Sequence, residues 1–159
     1  NAAWKHTLLE VAGQNSYSAL CCIAENALES CLGTVEAPLD RLSRAALEKC
    51  KQGAIDSPDV QELLAYLDAL DEACYQLKFR MQNLALRNNL PSWLDLLEQR
   101  LWMGRHAVQV IRCHAAGQPY DVPLRRLHEP LKNAREHHKR IGGAAIQSLA
   151  EYALELVQG

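Results

Sequence analysis

Phenylalanine occurs once in this chain, and no apolar run approaches the ~20 residues that a membrane-crossing helix needs. There is no excess of positive charge either. Seventeen Lys and Arg stand against 19 Asp and Glu, a formal net charge of −2, whereas nucleic-acid-binding domains usually carry a clear positive surplus. Neither a bilayer nor nucleic acid is therefore an expected partner. No Gly-x-Ser-x-Gly turn, glycine-rich phosphate loop or strand to hold one is visible, which removes the common signatures of nucleophilic and phosphate chemistry. The chain also opens without an initiator Met or a charged-then-apolar leader, so Asn1 is read as the start of an excised piece or a processed product.

Apolar residues make up 48% of the chain and charged residues 23%, the profile of a globular protein with a core. At 159 residues, it suits one domain, 1–159, and is short for two. Val and Ile are sparse and Ala and Leu abundant, which favours helix over strand. The six cysteines, Cys21, Cys22, Cys31, Cys50, Cys74 and Cys113, sit inside helical apolar patterns and not in short loops. They read as unpaired core thiols rather than as a disulfide framework, and so favour a reducing compartment.

The predicted elements are all helical. Asn15 or Ser16 caps a helix through "YSALCCIAENALESCL" that Gly33 should stop, and "APLDRLSRAALEKCKQG" begins with Pro38 and ends at Gly53. Ser57 is the expected N-cap of a long helix with Pro58 in its first turn. Val60, Leu63, Leu64, Leu67, Leu70, Cys74, Leu77, Met81 and Leu84 then recur at steps of three and four. A second long helix starts at Pro91 and carries the stripe Leu90, Leu94, Leu97, Leu101, Gly104, Val108 and Ile111. The short turn between them, Arg87, Asn88 and Asn89, makes the two antiparallel. Gly104 lies on the stripe itself. A mid-helix glycine costs roughly 1 kcal/mol against alanine, so close approach of a neighbouring helix is the expected reason for it. Pro123 opens another helix, Pro130 should kink or divide it, and Gly142-Gly143 precedes a last helix with Ile146, Leu149, Tyr152, Ala153 and Leu156 inward. The predicted fold is an all-α bundle of six to seven helices with two long antiparallel helices.

Three constellations could carry chemistry. The His and Cys residues pair as neighbours (Cys21-Cys22, Cys113-His114, His137-His138), and adjacent helical residues point about 100° apart, unlike the spaced pairs of a zinc site. No metal or cofactor is expected. Asp59, Glu62, Asp68, Asp71 and Glu72 gather on the first long helix, where a carboxylate pair could serve glycoside hydrolysis; a solvated acidic face is the favoured reading. Arg125, Arg126, Lys132, Arg135, Lys139 and Arg140, with His128, His137 and His138, form a basic stripe. It could touch nucleic acid or an acidic partner; complementing the acidic helix from Asp56 to Glu72, within the fold or in a homodimer, is the favoured reading.

The stretches "AAWKHTLLEV", "NNLPSWLDLLEQRLWMGRHAVQVI" and "KRIGGAAIQSLAEYALE", in this order, resemble the helical domain that follows the catalytic barrel in family 84 glycoside hydrolases, which include O-GlcNAc hydrolases and the enzymes once called hyaluronidases. In that resemblance Ala3-Trp4 marks the chain leaving the barrel, and Pro91, Trp93 and Gly104 mark the middle of the bundle. The likeness spans most of the chain, although Ser92 between Pro91 and Trp93 and the cysteine content depart from it. The family's neighbouring catalytic aspartates have no counterpart here, so no catalytic residue carries over. The resemblance implies a non-catalytic, post-catalytic accessory domain excised from a β-N-acetylglucosaminidase. Its partner is the barrel of the same parent chain, with a glycoprotein or glycan substrate as a further one. A free-standing helical interaction or sensor module is the alternative. Trp4 and Trp102, large residues at the N-terminus and off the buried stripe, are the candidate contacts with a neighbouring domain or subunit.

Overall fold

The computed structural model describes the backbone of residues 17–83, 92–137 and 143–158, and the side chains of residues 34–79, 94–137 and 143–158. These residues form five helices and no strand: α1 (Tyr17–Lys51), α2 (Pro58–Asn83), α3 (Ser92–Ala115), α4 (Asp121–Glu136) and α5 (Ala145–Gln158). The all-α expectation holds. α1 packs on α2 and α5, and α3 packs on α2, α4 and α5. Helices α1, α2, α3 and α5 thus close a four-helix ring, while α4 lies over the seam between α3 and α5.

Two expected helix boundaries are absent, which is why these residues hold five helices and not the six to seven read from the sequence. α1 is continuous over 35 residues, through both Gly33 and Pro38. Glycine weakens a helix by roughly 1 kcal/mol and proline removes one backbone bond. Against those penalties α1 buries Val35, Leu39, Leu42, Ala46 and Cys50 along one stripe, and each fully buried Leu or Val contributes ~1.5–3 kcal/mol. Tertiary burial wins. Pro130 likewise fails to divide α4, whose buried line Leu127, Pro130, Leu131 and Ala134 includes the proline itself.

Other expectations map closely. The α1 end is a glycine cap: Gly53 has φ +82°, its N–H donates to Cys50 O at 3.1 Å, and the Ala54 N–H donates to Lys49 O at 2.8 Å, the paired bonds of a Schellman motif. α2 buries Val60, Leu63, Leu67, Leu70, Cys74 and Leu77, as the spacing predicts. Its start differs in one respect. Ser57 stands before Pro58, but its buried Oγ makes no hydrogen bond, so the helix begins without the expected side-chain cap. α3 buries Leu94, Leu97, Leu101, Gly104, Val108 and Ile111 of its predicted stripe and also Met103, Ala107 and Val110, because it is covered from three sides. The turn at residues 87–89, Leu84, Leu90 and Pro91 lies outside the described residues.

The expected tight packing at Gly104 is present. A Cβ there would stand 2.8 Å from Ile146 Cδ1, 3.1 Å from Ile146 Cγ1 and 3.3 Å from Leu67 Cδ1. The missing side chain lets α2, α3 and α5 converge. At Gly143, φ is +85° and a Cβ would come 2.6 Å from both Cβ and Oδ1 of Asp40. The Asp40 carboxylate uses that space to accept the Ala145 N–H at 2.9 Å, so α1 caps the N-terminus of α5.

Candidate functional site: an ion-pair seam and an exposed aromatic pair

The polar side chains with most structure around them line the α2–α3 seam. Lys78 of α2 donates to Asp95 at 2.5 Å and to Glu98, both on α3. The Trp102 indole N–H donates to Asp71 Oδ1 at 3.3 Å, and Arg105 reaches Asp68 at 2.6 Å and Asp71 at 3.6 Å. Farther along, Arg112 approaches Asp56 at 3.6 Å and Ile55 O at 3.5 Å. Partners on α2 fall in number as those on α3 rise. Within the acidic run, Asp68 and Asp71 are complemented by Arg105 of α3, and Asp56, just before α2, by Arg112; among the described residues no ion pair joins the run to the basic stripe. Exposed pairs of this kind stabilise by only ~0.2–1 kcal/mol each, so their main effect is on register.

The inner end of the seam is more buried. Glu98 is 8% exposed. Burial works to lower the Lys78 ammonium, but its bonds to Asp95 and Glu98 outweigh that and hold it above its ordinary range. One turn away, the Cys74 thiol is pushed up to about 12, first by burial and then by the Glu98 and Asp71 carboxylates, with Lys78 opposing. Such a thiol stays protonated and unreactive. Burial also raises Cys50, with Arg112 opposing. Cys50, Cys74 and Cys113 are all free thiols; the side chains of Cys21, Cys22 and Cys31 lie outside the described residues.

Trp4, one of the two tryptophans singled out from the sequence, also lies outside the described residues. Trp102 is half-buried beside the seam, with its N–H committed to Asp71. Among the described residues, the large aromatics that face solvent are Tyr75, 60% exposed, and Phe79, 49% exposed. They stack one turn apart on α2, ring centroids 6.4 Å apart and planes 16° from parallel. In the sequence they are inconspicuous because they alternate with the buried positions Ala73, Cys74 and Leu77. Aromatics off an apolar stripe are the signal that was there to be read.

The basic stripe on α4 stands apart from this seam. Arg125, Arg126, His128 and Lys132 are exposed, while Arg135 donates two bonds to Glu151 of α5, at 2.7 and 2.8 Å. Lys139, Arg140 and His138 lie outside the described residues. Arg100 of α3 is 3% exposed and reaches Asn133 Oδ1 at 3.4 Å, and burial lowers its pKa. Between α1 and α5 an open cleft of about 410 Å³ is lined by Leu47, Lys51, Gln147, Ser148 and Tyr152 among others, with Lys51 Nζ 6.0 Å from the Tyr152 ring centroid.

Among the described residues, no group of three or more His, Cys, Asp and Glu is placed to hold a metal ion, and no helix is long and apolar enough to cross a membrane. No family model, curated protein or solved structure matches the chain.

Proposed function

We propose that this chain is a non-catalytic helical accessory module of a β-N-acetylglucosaminidase, packing against the catalytic barrel of its parent polypeptide, with the antiparallel pair α2 and α3 as its spine. The observation that carries the reading is the environment of Gly104. The middle stretch of the family 84 resemblance runs along α3, and its glycine stands where α2 and α5 close on that helix, against Leu67 and Ile146. A residue of that stretch thus serves the packing of a scaffold. The seam supports the same reading, since its carboxylates are bound by Lys78, Arg105 and Trp102 and not left paired for acid–base work. The reverse order of the seam contacts supports the antiparallel pairing.

The test is the parent polypeptide. Sequence upstream of Asn1 should encode βα repeats with two neighbouring aspartates, and the barrel produced without this module should melt at lower temperature than the two together. The isolated chain should not turn over a chromogenic N-acetylglucosaminide. Turnover that a single substitution within the chain abolishes overturns the proposal. A free-standing interaction module is the second reading, and the exposed Tyr75–Phe79 pair is what favours it.

A further inference from the structure

The outward line of α2 is Gln61, Ala65, Asp68, Glu72, Tyr75 and Phe79, at steps of four, three, four, three and four residues, and every member is exposed. Its two ends differ in chemistry. The C-terminal end is the stacked pair Tyr75 and Phe79. One and two turns before it stand two carboxylates: Glu72, which accepts a bond from Gln76 at 2.9 Å, and Asp68, shared with Arg105 at 2.6 Å. The nearest lysine, Lys78, is turned into the seam and held by Asp95 and Glu98. Among the described residues this line therefore offers ring faces and, at Glu72, a carboxylate with no cation against it, while Arg105 reaches the line only at Asp68.

Scattered exposed apolar residues are ordinary on a protein surface. These are not scattered. Among the described residues only Val122 otherwise ranks as an exposed large hydrophobic, so the remaining two lie side by side and in contact. Aromatic faces and carboxylates attract the same partner, a cation carried on an apolar stem, by cation–π contact and by ion pairing.

We propose that this face of α2 is a docking surface for a cationic amphipathic helix of a separate polypeptide, its apolar side chains on Tyr75 and Phe79 and its Arg or Lys residues against the rings, Glu72 and Asp68. The line from Asp68 to Phe79 covers three helical turns, about 16 Å at ~1.5 Å per residue, which sets the length of partner helix it can hold. A contact of that extent belongs to the weak, reversible class of interfaces. A second copy of this chain is a poorer occupant on two counts. Two-fold pairing of α2 with α2 would bring like carboxylates together. Pairing one copy's α2 with the basic α4 of another joins two different surfaces, since α4 lies over the α3–α5 seam, and such head-to-tail contacts build rings or filaments and not closed dimers. This inference is independent of the glycosidase reading, because it needs only the described face.

The probe is a fluorescein-labelled 18-residue amphipathic helical peptide of Leu, Lys and Arg, titrated with the full chain and followed by anisotropy. A counterpart with Glu at every Lys and Arg serves as the comparison. The basic peptide should bind, the acidic one should not, and binding should weaken as salt rises. The double variant Tyr75→Ser/Phe79→Ser should weaken binding at least tenfold, and Glu72→Lys several-fold. Because these side chains are exposed, both variants should keep the wild-type urea midpoint, and Lys132→Glu on α4 should leave binding unchanged. Equal binding by the double variant, or by the acidic peptide, overturns the proposal. So does a wild-type chain that sediments as a dimer and becomes monomeric in Tyr75→Ser/Phe79→Ser, since the face is then filled by a second copy.

Discussion

Replacing Gly104 with alanine adds one methyl group where three helices meet, and two opposing effects decide its sign. In an exposed helix interior the change should stabilise by ~1 kcal/mol through propensity. Here the new Cβ lands 2.8 Å from Ile146 Cδ1, 3.1 Å from Ile146 Cγ1 and 3.3 Å from Leu67 Cδ1. Ile146 and Leu67 are both 0% exposed, so neither can swing into solvent to make room. Overpacking of this kind typically costs 1–3 kcal/mol. Net of propensity, Gly104→Ala should lose about 1 kcal/mol, seen as a lower urea midpoint at unchanged slope. The contact at 2.8 Å involves the one carbon that Ile146→Val removes. That substitution alone should cost ~0.5–1.5 kcal/mol, yet in its background Gly104→Ala should be neutral or stabilising, a coupling of about 1 kcal/mol in a double-mutant cycle. A Gly104→Ala protein more stable than wild type, or strictly additive effects in the cycle, refutes the close-contact reasoning.

Gly143→Ala should be more damaging than Gly104→Ala, because it combines a left-handed backbone at φ +85° with a 2.6 Å collision against Asp40; a loss of ~2 kcal/mol or more in the same melts is expected. Asp40→Ala, which removes the acceptor for the Ala145 N–H and an exposed ion pair with Arg44, should cost ~1 kcal/mol. The Cys74 thiol gives a pH signature. Its folded pKa is raised to about 12, so the native state keeps a proton that the unfolded chain releases near its ordinary value of ~8.5. Its stabilisation is present below that value and is lost as pH rises toward 12, at no more than ~1.4 kcal/mol per pH unit. Urea midpoints measured from pH 8 to 10.5 should fall less steeply in Cys74→Ala than in wild type, and parallel slopes would show that the thiol ionises alike in both states.

The helices were legible where burial and spacing agree. Leu63, Leu67, Leu70, Cys74 and Leu77 repeat at helical intervals, and α2 covers them as the pattern requires. Gly104 was legible for a related reason: a residue with no side chain on a buried line needs a neighbour close by. Gly33 and Pro38 misled because their local penalties, about 1 kcal/mol for the glycine and ~3 kcal/mol for the proline, are outweighed by the burial of five α1 side chains between and after them. Helix-breaking residues were read at their intrinsic strength, and tertiary packing decided otherwise.

Charge partners were harder to read, and the seam shows why. From the sequence, the acidic run of α2 and the basic stripe after Pro123 look complementary, since each is nearly uniform in sign. Which cation meets which carboxylate depends instead on where two helices cross. In the structure, α3 lies against α2 with Lys78 at Glu98 and Arg105 at Asp68, while α4 packs on α3 and α5 and its stripe faces solvent. Glu98 makes the same point about burial. It directly follows Leu97 and reads as a surface residue, yet it is 8% exposed because α2 covers it and Lys78 satisfies it. Spacing along one helix says which residues face inward; it does not say which neighbour covers the rim. Trp102 stands on such a rim, where the crossing gave its N–H to Asp71 and left Tyr75 and Phe79, one and two turns farther along α2, turned to water.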